Sequence, residues 1–188
     1  MTGRRSLLAL GAALGAALVA LAALAGCAPA PDPIAPGHPV VLRLPSGWEA
    51  APVPGSGDPA AGGAGADPVV YAARPADDGG AAGLTVSALP GRVSTIESGV
   101  SVAEAGRELL RPDYRGEPPV ELEVPGADEA RRVDYAYTCA DSGGSCAGTA
   151  FVMLRDRDLY IVRVSRREGG GTAPGVADDL QETLALAQ

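Results

Sequence analysis

Apolar and polar positions along the chain fall into two patterns: alternation with period two, which marks strands, and spacing of three to four, which marks helices. Residues 40 to 44, Val-Val-Leu-Arg-Leu, read as a first strand, stopped by Pro45, Ser46 and Gly47. Residues 69 to 73 and 84 to 89 give two more, with the turn residues Asp77, Asp78, Gly79 and Gly80 between them. Ser101 to Glu104 fits a capping box, and Val102, Gly106, Leu109 and Leu110 then share one face of a short helix that Pro112 stops. Residues 120 to 124 alternate apolar and acidic. Residues 130 to 165 predict a three-strand antiparallel meander, with Val133, Tyr135, Tyr137 and Cys139 on one face of its first strand and a tight connection at residues 155 to 158. Beyond three glycines at 169 to 171, Thr172 caps a last helix with Pro174 in its first turn, and Val176, Leu180 and Leu184 face the sheet. The order strands, helix, strands, helix lacks the strict alternation of a parallel sheet. The predicted class is α+β, an antiparallel β-sheet flanked by helices.

One stretch belongs to neither pattern. Residues 7 to 26 contain only Leu, Ala, Gly and Val and follow Arg4 and Arg5, which is a targeting profile. It ends in Leu24-Ala25-Gly26-Cys27, which resembles the lipobox of bacterial lipoproteins, where cleavage before the cysteine accompanies attachment of a diacylglyceryl group to its sulfur. The expected organisation is a signal peptide over 1 to 26, a lipidated Cys27 with a Pro-rich tether over 27 to 39, and one domain over 40 to 188. The apolar run is also long enough to cross a membrane, so a retained N-terminal anchor is the competing reading. Either one holds the domain at the extracytoplasmic face of the cell membrane. The paired arginines before Leu7 and Leu8 fit an ordinary export signal or a twin-arginine one.

Removing the leader leaves about 160 residues, enough for one core. The formal charge of the whole chain is −8, and the leader carries arginines but no acid, so the remainder is more acidic still. Such a surface repels phosphate backbones and anionic headgroups. Nucleic acid is thereby excluded as an expected partner, and membrane attachment falls to acyl chains. Every basic residue other than His38 is arginine, and the chain has neither Lys nor Asn, as GC-rich coding produces. Of the three cysteines, acylation of Cys27 leaves Cys139 and Cys146 separated by a short polar loop. An even number in an exported chain favours a disulfide between them. Their spacing and the absence of a neighbouring histidine speak against a metal site or a redox dithiol.

Candidate chemistry is sparse. His38 is the single histidine and lies in the tether, so no Ser-His-Asp arrangement is available. There is no Gly-rich phosphate loop ending in Lys-Ser or Lys-Thr. Trp48 reads as cover for the edge of the core, and Asp77 and Asp78 lack the further oxygen ligands of a calcium loop. Asp134 and Glu104 are the carboxylates that would meet if the domain hydrolysed a glycan. No catalytic residue, metal or cofactor is expected. Arg131, Arg132, Arg163, Arg166 and Arg167 mark a docking patch for an acidic partner or, more simply, the outward positions of strands.

Three segments carry a family resemblance: Leu44 to Trp48, Val124 to Ala130, and Tyr160 to Val162 together with the terminal helix. In these the chain resembles the LpqN-type lipoproteins of actinobacteria, within the wider PsbP-like superfamily that includes a nuclear Ran-binding protein. The likeness spans most of residues 40 to 186, and the Gly/Ala-rich stretch from 50 to 67 departs from it. It implies an antiparallel sheet flanked by helices and carries over no catalytic residue, because members of that superfamily mostly serve as binding or assembly factors. The expected role is a tethered adaptor docking another envelope protein through exposed sheet or helix surface. The alternative is a carrier holding an amphiphilic lipid or glycolipid in an apolar pocket between the helix near Leu109 and the sheet.

Overall fold

The computed structural model describes residues 33–53, 68–76, 83–108, 113–139, 143–167 and 175–188, all within the compact unit Asp32–Gln188. The leader, Cys27, most of the 50 to 67 stretch, Asp77, Asp78, Leu109, Leu110, Pro112, Thr172 and Pro174 lie outside the described residues. In chain order the elements are β1 (Val40–Val41), β2 (Trp48–Ala50), β3 (Val69–Pro75), β4 (Gly83–Leu89), α1 (Ile96–Glu108), β5 (Arg115–Gly116), β6 (Val120–Glu121), β7 (Glu129–Thr138), β8 (Ser145–Arg155), β9 (Asp158–Arg167), α2 (Val176–Thr183) and β10 (Ala185–Leu186). The main sheet runs β2-β3-β4-β9-β8-β7-β5, with β6 also on the outer edge of β7. All of its pairings are antiparallel, and the fold is α+β. The meander expected between 130 and 165 is β7, β8 and β9, in continuous register from Glu129↔Leu154 to Thr138↔Ser145 and from Arg155↔Asp158 to Cys146↔Arg167.

Both faces of this sheet are covered. Period two sends Ala130, Phe151, Met153, Tyr160, Val162, Leu84 and Val86 to one face, where Val176 and Leu180 of α2, Leu184, Val40 and Leu186 close over them. The other face presents Val133, Tyr135, Tyr137, Val152, Leu154, Leu159 and Ile161, and Ile96, Val100 and Ala103 of α1 pack on it. β8 and β9 are therefore largely apolar runs, as strands buried on both sides must be, whereas β7 alternates. Trp48 is half-buried against the α2-side core, as its position at the core edge predicts.

Several boundaries differ from the sequence reading. The capping box at Ser101 is not used. α1 begins five residues earlier, capped by Thr95, whose Oγ1 accepts from the Ser98 N–H at 3.2 Å. Ser101 is inside the helix and its hydroxyl donates back to the Glu97 carbonyl at 3.0 Å. The face that α1 buries is consequently Ile96, Val100 and Ala103, with Val102 only half-buried. α2 starts at Val176 behind Gly175, which supplies no side-chain cap. The 40 to 44 and 120 to 124 strands shrink to two residues each, because β1 pairs only with β10 and β6 only with Arg131 and Arg132 of β7.

The proline-rich residues 34 to 40 are not extended. Ile34 donates its N–H to the Val40 carbonyl at 2.8 Å and His38 donates to Ala35 at 3.1 Å. This folds residues 34 to 40 into a turn that buries Ala35 and rests Ile34 on the core. His38 is half-buried in that turn and away from any cluster of titratable groups. The C-terminus lies beside it: Ala187 donates to the Pro39 carbonyl at 2.7 Å and Leu186 to the Pro125 carbonyl at 2.8 Å.

Cys139 and Cys146 are joined in a disulfide, with Cα atoms 5.4 Å apart. Both are buried on the α1 side. Closing so short a loop restrains the unfolded chain only modestly. Replacing both cysteines by alanine is expected to cost about 2–3 kcal/mol, read as a lower urea midpoint at unchanged slope.

Burial holds the hydroxyls of Tyr71 and Tyr160 above the ordinary tyrosine range, and the Asp158 carboxylate adds to the effect on Tyr160. Unfolded tyrosines release their protons first. Stability is thus undiminished below about pH 10 and falls as pH rises past it toward the folded-state values. A melting temperature that declines above about pH 10 while absorbance at 295 nm shows late-titrating tyrosines is the expected result.

Candidate functional site

The site is built where α2 meets the far end of the meander. Arg132 of β7 points to the α2 side and organises it. Its Nε donates to both oxygens of Asp134, at 3.2 and 3.0 Å, and its Nη1 donates to Asp178 Oδ1 at 2.6 Å and Gln181 Oε1 at 3.0 Å. The Thr149 hydroxyl donates to Asp134 Oδ1, and the Arg132 guanidinium stands 5.9 Å from the Phe151 ring centroid. Burial works against the charge on Arg132, but Asp178 and Asp134 outweigh it and hold the guanidinium more firmly protonated than usual. One arginine thus ties helix to sheet and pairs with two carboxylates, leaving the cluster one negative charge.

Beside this network lies a groove of about 590 Å³, within the range of ligand sites. Its floor is a row across four strands: Arg115 pairs with Ala136, Ala136 with Ala147, and Ala147 with Arg166. Gly175 to Asp178 form the wall on the α2 side. The two alanines keep the middle of the floor low. On the reverse face at the same level, Tyr135 covers Gly148, where a Cβ would come within 2.5 Å of the ring, and its hydroxyl meets Ser165 Oγ at 3.0 Å.

The structure separates residues that the sequence grouped. Glu104 stands on α1, against Gly116 on the reverse face, whereas Asp134 points to the α2 side. The sheet lies between them, so this carboxylate pair does not form a hydrolytic site. The arginines divide in the same way, by strand register between the two faces. Arg132 and Arg166 face α2. Arg163 is 7% exposed and lies under α1, donating to the Ala103 carbonyl at 3.2 Å and Ser87 Oγ at 3.4 Å. Arg131 donates to the Ala130 carbonyl at 2.9 Å. The five arginines therefore make no single patch. Along its described core face α1 packs Ile96, Val100 and Ala103 onto the sheet. Among the described residues no group of three or more His, Cys, Asp and Glu is placed to hold a metal ion, and no helix is long and apolar enough to cross a membrane.

Arg115 is the residue that sequence reading missed. It sits in a polar, Pro-flanked stretch with no periodicity, and only the two-residue pairing of β5 with β7 brings it to the groove. Arg166 was visible only as one of five clustered arginines.

No family model and no curated protein matches the sequence. Solved structures do match in fold. A Bacteroides thetaiotaomicron protein shares 9% identity at a TM-score of 0.50, covering 80% of this chain and 46% of its own, so the present chain spans about half the length of that one. LpqN of Mycobacterium tuberculosis, described as involved in cell envelope biogenesis, shares 14% identity at a TM-score of 0.53, covering 84% of this chain and 90% of its own. At these identities the likeness is one of fold.

Proposed function

We propose that this chain is a non-catalytic module of the cell envelope, anchored by lipid on Cys27 at the extracytoplasmic face, that docks another envelope protein. The observation that carries the reading is the open, charged groove beside α2, on a domain whose described helices otherwise close both sheet faces over packed side chains. The fold it shares with LpqN, a protein involved in envelope biogenesis, supports the setting. The turn over residues 34 to 40 shortens the tether, leaving six or so residues after Cys27 and a reach of about 20 Å when fully extended. The chain enters the domain beside β10, at the Leu154 end of the meander. The groove lies at the Ala147 end, about 23 Å away along the strands.

A carrier remains the second reading because the groove has ligand-site volume. Its charged lining and shallow alanine floor suit a polar occupant better than acyl chains. Crosslinking in intact envelopes, followed by identification of the adducts, tests the two: recurrent protein adducts through the α2 end are expected, and lipid adducts alone would overturn docking. The anchor has its own check. Intact mass of the membrane-extracted chain should equal residues 27 to 188 plus a diacylglyceryl group, and an unmodified Cys27 thiol would sink that part.

A further inference from the structure

Resting on the docking reading, we infer that the partner presents an extended acidic segment, and that Arg115 and Arg166 grip its carboxylates across the alanine floor of the groove. In a chain with 23 acidic and 15 basic residues, a basic side chain near the α2 face has carboxylates within reach, as Arg132 shows by engaging two. Arg115 and Arg166 engage none among the described residues. Arg166 is half-buried, a position in which a guanidinium gains most from a counter-charge. Of the three carboxylates that line the groove, Asp134 and Asp178 are already held by Arg132, and Glu117 is exposed and forms no ion pair with either floor arginine. Two cations at the ends of one row therefore face an uncharged middle.

The spacing selects the occupant. Three inter-strand steps separate the Cα atoms of Arg115 and Arg166, about 14 Å. In an extended peptide, side chains at positions i and i+4 lie on one side and about 13 Å apart. A segment with acidic residues four apart and small residues between them spans the row, laying its backbone over Ala136 and Ala147. An acidic membrane headgroup fits less well, because the groove lies at the Ala147 end of the sheet, remote from residue 34, where the chain enters the domain.

The test uses the full chain in a nonionic detergent and fluorescein-labelled peptides read by anisotropy at low salt. Glu-Gly-Ser-Gly-Glu is expected to bind, with Gln-Gly-Ser-Gly-Gln and Glu-Gly-Glu each at least about tenfold weaker. Arg115→Gln and Arg166→Gln should each lower affinity about tenfold. Both variants should melt within about two degrees of the parent, since neither side chain makes a hydrogen bond or ion pair with a described residue. Equal binding by the glutamine peptide, or by both variants, overturns the inference. So does binding to phosphatidylglycerol vesicles that requires both arginines while the peptide fails, which would assign the groove to a headgroup. Peptide failure alongside persistent envelope protein crosslinks would remove this groove from the docking reading and leave docking itself standing.

Discussion

Replacing Gly126 with alanine is expected to lower stability by about 3–4 kcal/mol and the melting temperature by about 10 °C. Gly126 has φ +82°, a left-handed conformation that costs a residue with a Cβ about 1–2 kcal/mol. The larger part is steric. A Cβ there would collide with the carbonyl oxygen of Leu186, and that oxygen belongs to backbone fixed from three sides. Leu186 pairs with Val40, its N–H donates to the Pro125 carbonyl, and the next carbonyl, of Ala187, accepts from Arg155 Nη1 at 2.6 Å. Relief requires β10 to move, which detaches β1 and the turn over residues 34 to 40. Gly126→Asn tolerates the dihedral better and should recover only about 1 kcal/mol. Equilibrium urea unfolding followed by the fluorescence of Trp48, the one tryptophan, measures both. Equal stability of the alanine variant and the parent would mean that β10 is not pinned as described.

That contact shows what the sequence could and could not disclose. The meander was legible because β7, β8 and β9 are ten or eleven residues long, the first alternating and the others rich in apolar β-formers, and are joined by short connections. Val176, Leu180 and Leu184 were legible as a helical stripe for the same reason. β1, β5, β6 and β10 have two residues each, too few for a period, and they exist only because longer strands template them. The helix start was misread because Thr95 and Ser101 both stand ahead of apolar residues at helical spacing. The packing of Ile96 against the sheet decides for the first. The candidate site depended on the short elements. β5 carries Arg115, and the choice of face for Arg132, Arg163 and Arg166 depends on register, which a run of arginines does not reveal. The separation of Glu104 from Asp134 likewise needed the sheet between them.

Phe151→Ala is expected to cost about 3–5 kcal/mol, a large share of the 5–15 kcal/mol typical of a domain. Phe151 is the one phenylalanine and has no exposed surface. Its register partners are Arg132 on β7 and Val162 on β9, so it fills the centre of the sheet beneath the helix that walls the groove. Truncation loses buried area and leaves a void that paired strands on both sides cannot collapse into. Phe151→Leu, which keeps more of the volume, should lose only about 1–2 kcal/mol. The ring also lies under the Arg132 guanidinium, an arrangement contributing about 0.5–1 kcal/mol beyond area burial. Crossing Phe151→Leu with Arg132→Gln in a double-mutant cycle is expected to return a coupling of that size. Zero coupling would assign Phe151 to packing alone. It would also leave the polar partners Asp134, Asp178 and Gln181 as the reason that Arg132 stays over the sheet, turned away from the acidic segment that Arg115 and Arg166 are placed to receive.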